Sequence, residues 1–144
     1  MQTLVMPHFD YCDILLTDLN TTLAQRLQRV HNACVRFVCN LRKADHISPA
    51  FSSLSWLRLK ERRTLHSLLL LFQILQNASP TYLLDQFQFL SSHHTEGTRL
   101  QHFRAMTIPL HRTSSYSLSF TVSVARQWNS IPESIRDCRT LTSF

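Results

Sequence analysis

Leu59-Lys60-Glu61-Arg62-Arg63-Thr64-Leu65-His66-Ser67-Leu68-Leu69-Leu70-Leu71-Phe72-Gln73-Ile74-Leu75-Gln76 decides the fold class of this chain. The first turn of the stretch is charged, and from Leu65 onward it is apolar on nearly every side of a helix. A helix that is hydrophobic all round has to sit centrally, packed by neighbours on several faces. The run is far short of the ~20 apolar residues that span a bilayer, so no membrane partner is expected. Ser79-Pro80 ends it, and Pro80 to Phe87 reads as a short helix with proline in its first turn.

Upstream, Trp56 and Leu57 lead into the long helix, and Ser48-Pro49 starts a short turn or helix running to Ser53. Before that lies an amphipathic helix over roughly Thr22 to Asn40, with Asn20 or a following threonine as its cap. Its apolar positions, Leu23, Leu27, Val30, Cys34, Phe37, Val38 and Leu41, recur at three and four residues and predict one buried stripe. Pro7 opens a shorter apolar segment, Phe9 to Leu16. Downstream, Phe89 to Arg104 turns polar and reads as a mobile loop and internal boundary. Met106 to Leu110 suits a short extended segment, and Ser119 to Asn129 a third helix, with Phe120, Val124 and Trp128 at four-residue steps. A last turn starts at Pro132, and the stop at Thr142-Ser143-Phe144 reads as truncation in mid-element. The expectation is a mainly α fold: a small helical bundle around a central hydrophobic helix at about 59–76. The irregular C-terminal part has room for one or two short strands.

Composition supports helices. Gly97 is the one glycine among 144 residues. Phosphate-cradling loops, dinucleotide fingerprints and tight hairpins all lean on glycine for positive φ or close backbone approach. Nucleotide-binding loops and a hairpin-rich β fold are therefore excluded as expectations. A hydrophobic fraction of 44% with 17% charged residues is that of a globular chain, and the length predicts one core. Net charge is +6 and the isoelectric point near 9.7, a balance suited to a polyanion. Cys12, Cys34, Cys39 and Cys138 form no CxxC pair, which fits a reducing, intracellular setting, nuclear or cytoplasmic. No signal peptide is legible at the N-terminus. Asn20-Thr21-Thr22 and Asn77-Ala78-Ser79 match the glycosylation acceptor pattern, a tripeptide that recurs by chance.

Catalytic chemistry finds little support. Asp10 and Asp13 sit three apart and would share a helical face, but a two-metal site needs carboxylates converging from separate elements. The chain has six aspartates and three glutamates, with no two adjacent. His93, His94, His102 and His111 lack cysteine or carboxylate partners at short metal-binding spacings. No serine sits in a Gly-x-Ser-x-Gly elbow. No catalytic residue, metal or cofactor is expected.

The cations carry the physical argument for function. Arg26, Arg29, Arg36 and Lys43 fall within an arc of about 100° on the helix, opposite its apolar stripe, and can track a phosphate backbone. Arg58, Lys60, Arg62 and Arg63 form a second group beside Trp56 at the start of the long helix. Trp56 reads either as a base-stacking platform among cations or, given Leu54 and Leu57, as core. The stripe itself reads equally as an ordinary solvated face.

Several strings in order carry a resemblance. Pro7-His8-Phe9-Asp10-Tyr11-Cys12 is followed by Leu27-Gln28-Arg29-Val30-His31-Asn32-Ala33-Cys34-Val35-Arg36-Phe37. Next come Asp45-His46-Ile47-Ser48-Pro49, Leu54-Ser55-Trp56-Leu57, and Glu61-Arg62-Arg63 leading into Leu68 to Leu75. Ala78-Ser79-Pro80-Thr81-Tyr82-Leu83 and Ile108-Pro109-Leu110-His111-Arg112-Thr113 continue the series. It closes with Ala125-Arg126-Gln127-Trp128-Asn129-Ser130-Ile131-Pro132-Glu133-Ser134-Ile135-Arg136. Together, over essentially the whole chain, they resemble the region downstream of the polymerase core in non-LTR, LINE-type retrotransposon reverse transcriptases of the Jockey-like group. The resemblance implies a thumb-like helical region at 1–88, a polar loop at 89–104 and a C-terminal extension at 105–144. In such relatives the palm's Phe/Tyr-x-Asp-Asp motif holds the catalytic metals, and this chain has no such motif.

The resemblance thus implies a non-catalytic C-terminal fragment of an RNA-directed DNA polymerase. It would meet RNA or an RNA–DNA duplex through Arg26, Arg29, Arg36 and Lys43, with Arg62 and Arg63 as a second set. Two other readings stand beside it. One is a helical interaction module that self-associates through apolar surface left open on Leu68 to Leu75. The other is a translated transposon relic without function.

Overall fold

The computed structural model describes residues 2–90, 105–138 and 140–144, and the fold is mainly α. Helix α1 spans Gln2–Asp10, so it begins before Pro7 and carries that proline inside. Cys12, at φ 52°, turns the chain out of it, and a 3-10 helix follows at Asp13–Asp18. The apolar segment expected from Phe9 to Leu16 is therefore divided between two helices of different pitch.

Helix α2 spans Thr21–Val38, and Asn20 caps it, its Oδ1 accepting from the Leu23 amide at 2.8 Å. At its other end Asn40 takes a left-handed conformation, φ 50°. The Leu41 amide then donates to the Arg36 carbonyl at 2.9 Å and the Asn40 amide to Phe37 at 3.3 Å. Those two bonds are the Schellman arrangement that satisfies the last carbonyls of a helix. Helix α3, Ser48–Leu54, carries Pro49 in its first turn and closes in the same way: Ser55 is left-handed, and the Trp56 amide reaches the Phe51 carbonyl at 3.0 Å.

Helix α4 covers Leu59–Asn77, as its sequence predicts. Glu61 reaches back to the Arg58 amide at 3.2 Å, the acidic half of a capping box. Helices α5, Thr81–Leu84, α6, Ser114–Ser117, α7, Phe120–Ser130, and α8, Glu133–Arg136, complete the order. The strands for which the sequence left room reduce, among the described residues, to one antiparallel bridge between Phe89 and Met106. Asn129 of α7 holds that site, its Oδ1 accepting from the Met106 amide at 2.8 Å and its Nδ2 donating to the Met106 carbonyl at 2.9 Å.

The length predicts one core, yet the buried side chains fall into two clusters, one in each of two compact units, Met1–Arg63 and Thr64–Phe144. The first unit is centred on Met6, Val35, Ala50, Phe51 and Trp56. The second gathers Leu68, Leu71 and Phe72 of α4, Phe87, Met106, and Val124, Ala125 and Trp128 of α7. Phe144 stacks between Phe72, at 4.5 Å, and Trp128, at 6.0 Å. The boundary between the units lies inside α4, whereas the polar stretch read as the internal boundary, 89–104, lies from residue 91 onward outside the described residues.

Candidate nucleic-acid interface

The side chain that faces inward at the middle of α2 is a histidine. His31 and Val35 are wholly buried, whereas Leu23, Val30 and Phe37 of the expected buried stripe are 43%, 54% and 73% exposed. The stripe is real as a pattern, but the fold buries a face about 100° round the axis from it. His31 makes that rotation work. Its ring lies at 5.9 Å from Trp56, nearly parallel to it, and at 5.1 Å from Phe9 and 5.3 Å from Phe51. An imidazole in contact with three aromatic rings packs as a flat apolar side chain. Burial, and then the nearby Arg62 charge, push its pKa below the ordinary 6.5, so the neutral ring is favoured.

The rotation also fixes where the cations lie. Arg26 and Arg29 are solvent-exposed on α2, whereas Lys43, also exposed, lies beyond the end of the helix at Val38 and past the left-handed Asn40, so it does not continue the cationic stripe expected on the helix. Arg36 is half-buried and donates to the Asp45 carbonyl at 3.3 Å. Of the second set, Arg62 forms a two-pronged pair with Asp10: Nε donates to Oδ1, and the terminal nitrogen to Oδ2 at 2.6 Å. Hydrogen bonding to that carboxylate holds the guanidinium above its ordinary pKa. Arg63 is half-buried and donates to the Leu16 carbonyl at 3.4 Å. Arg58 lies 5.6 Å over the Phe51 ring and donates to Ser48 at 3.3 Å. Trp56 is 7% exposed, a core residue and not a stacking platform. The six arginines and lysines expected to face a polyanion therefore divide, and Arg26, Arg29 and Lys43 are the three that remain exposed.

Of the other candidate chemistry, Asp10 and Asp13 do come together, a carboxylate oxygen of each lying within 4.8 Å of the other, although they stand on different helices. Asp10 and Asp13 do not share a helical face, because the left-handed Cys12 lies between the end of α1 and the 3-10 helix. Asp10 is half-buried against Arg62. His93, His94 and His102 lie outside the described residues. His111 has Nδ1 at 3.1 Å from the Pro109 carbonyl and Nε2 at 2.7 Å from Arg126, so both ring nitrogens are engaged by neighbours. The apolar surface expected on Leu68 to Leu75 is largely buried, with Leu68 at 7%, Leu71 at 0% and Phe72 at 4%.

Sequence reasoning missed two features of α2. The burial of His31 has no local signal, since its aromatic neighbours come from α1, α3 and the turn after α3. The exposure of Leu23, Val30 and Phe37 does have one: they fall at seven-residue steps, the period of a seam offered to another helix. No described helix is long and apolar enough to cross a membrane. No protein-family model matches the chain, and neither a curated protein nor a solved structure is detectably similar to it.

Proposed function

We propose that this chain is a non-catalytic C-terminal segment of a LINE-type reverse transcriptase, and that α2 and the turn after it meet the backbone of RNA or an RNA–DNA duplex. The family reading rests on the ordered strings quoted above. The observation that carries the contact is the exposure of Arg26, Arg29 and Lys43 on a chain of net charge +6. Arg36 and Arg63 already spend donors on backbone carbonyls, and Arg62 is neutralised by Asp10, so these three lie outside the proposed set.

Three solvated cations on phosphates make binding sequence-tolerant and salt-dependent, because bound counterions are released. The expected slope of log affinity against log salt is about −2 to −3, near 0.9 per phosphate neutralised. Fluorescence anisotropy with an RNA–DNA duplex across a salt series measures it. Arg26→Glu with Arg29→Glu should weaken binding and flatten the slope by about 2. An affinity and slope that the double variant leaves unchanged would make these cations an ordinary solvated face and end the proposal.

A further inference from the structure

Leu23, Leu27, Val30, Cys34 and Phe37 recur along α2 at alternating four- and three-residue steps. That is the spacing at which one helix presents a seam to another. The N-terminal unit buries the face of His31 and Val35 and covers the seam only in part, with Leu27 and Cys34 half-buried. Leu23, Val30 and Phe37 consequently stand one above another, 43%, 54% and 73% exposed, over about 21 Å of helix. Apolar side chains in a row give a phosphate backbone nothing to bind, whereas a second apolar seam matches them.

Charge selects the occupant. Arg26 and Arg29 are exposed beside the seam, about 40° and 100° from Val30 round the axis. Between Thr21 and Val38 the helix carries no carboxylate. A second copy of the same face would therefore bring more arginine and no acid. We propose that the outward seam of α2 docks an amphipathic helix of another protein, apolar along its own seam and acidic along the flank that meets Arg26 and Arg29. The proposal does not depend on the nucleic-acid reading and shares with it only those two arginines.

The test uses the full chain and two labelled synthetic helical peptides of about three heptads, both with leucine along the seam. One carries glutamate on its flanks, the other lysine. The glutamate peptide should bind at least about tenfold tighter than its lysine twin. Val30→Ser with Phe37→Ser, both at exposed positions, should weaken that binding about tenfold or more, with helicity by circular dichroism unchanged. Arg26→Glu with Arg29→Glu should reverse the preference between the peptides. Equal binding of the two peptides overturns the proposal, as does binding that the serine variant leaves intact. Concentration-dependent dimerisation abolished by the serine variant would assign the seam to a second copy. Binding to anionic phospholipid vesicles in place of the glutamate peptide would assign it to a lipid surface, and either result overturns the proposal. Peptide binding that persists when duplex binding is absent supports the seam and removes the nucleic-acid reading alone.

Discussion

His31 is wholly buried with neither ring nitrogen hydrogen-bonded, so the folded state holds it against protonation. In the unfolded chain it takes a proton near its ordinary pKa of 6.5, and in the folded chain only at lower pH, because burial and the Arg62 charge disfavour the cation. The unfolded state therefore binds more protons in the window below 6.5. The stability this ring contributes is complete above that value and is lost as pH falls toward the lowered one. His31→Phe should remove this component. Urea midpoints of wild type and variant, compared at about pH 7 and about pH 5, should diverge at the acid end, with the wild type losing more. Parallel curves would show that the imidazole is not desolvated as described. The neighbouring Asp10–Arg62 pair makes a second residue-scale prediction. Asp10→Asn leaves a half-buried guanidinium without its carboxylate and should cost about 1–2 kcal/mol, less than a fully buried pair because solvent screens it. A double-mutant cycle with Arg62→Met reads the coupling, and a coupling near zero would reduce the pair to surface decoration. Neither residue announces its role in the sequence, since 52 positions separate Asp10 from Arg62 and the link exists only once the chain has folded.

At the level of elements, helix ends were more legible than helix faces. Asn20 as cap of α2, Pro49 in the first turn of α3 and the extent of α4 follow from local chemistry, and the structure has all three. The buried face of α2 did not follow, because hydrophobic period locates an apolar stripe without saying whether this chain or another molecule covers it. Scarcity of glycine leaves its own mark on the helix ends. Cys12, Asn40, Ser55 and Ala78 all occupy positive φ, between 49° and 53°, where a Cβ crowds the carbonyl oxygen. Ala78→Gly and Ser55→Gly should each stabilise the protein by up to about 1 kcal/mol, the relief of that crowding outweighing the added freedom of the unfolded chain. Asn40→Gly should gain less, because asparagine tolerates this conformation better than other side chains with a Cβ. Thermal or urea midpoints report the changes, and a fall in both the Ala78 and Ser55 variants would contradict the account.

On the scale of the whole molecule, the sequence discloses the mainly α class and the long hydrophobic helix, but not that the buried residues divide into two clusters. Chain length argues for one core, and only contacts between residues far apart in sequence reveal two, such as those that gather Leu71, Trp128 and Phe144. The two tryptophans happen to report on the two units separately, Trp56 in the cluster of the first and Trp128 in that of the second. Retaining one at a time, with Trp56→Phe or Trp128→Phe, gives a fluorescence probe for each unit. Leu71→Ala removes a wholly buried side chain from the second cluster and should cost about 2–5 kcal/mol there. The two clusters share no residue, so the unfolding midpoint seen by Trp128 should fall while that seen by Trp56 moves less. Phe51→Ala should produce the opposite pattern. Equal shifts at both probes would mean that α4, which runs unbroken across the boundary, makes the chain one cooperative block. No sigmoidal transition at either probe would mean that neither cluster packs cooperatively, which is the behaviour of a translated relic and the outcome under which the cationic face and the seam of α2 both lose their scaffold.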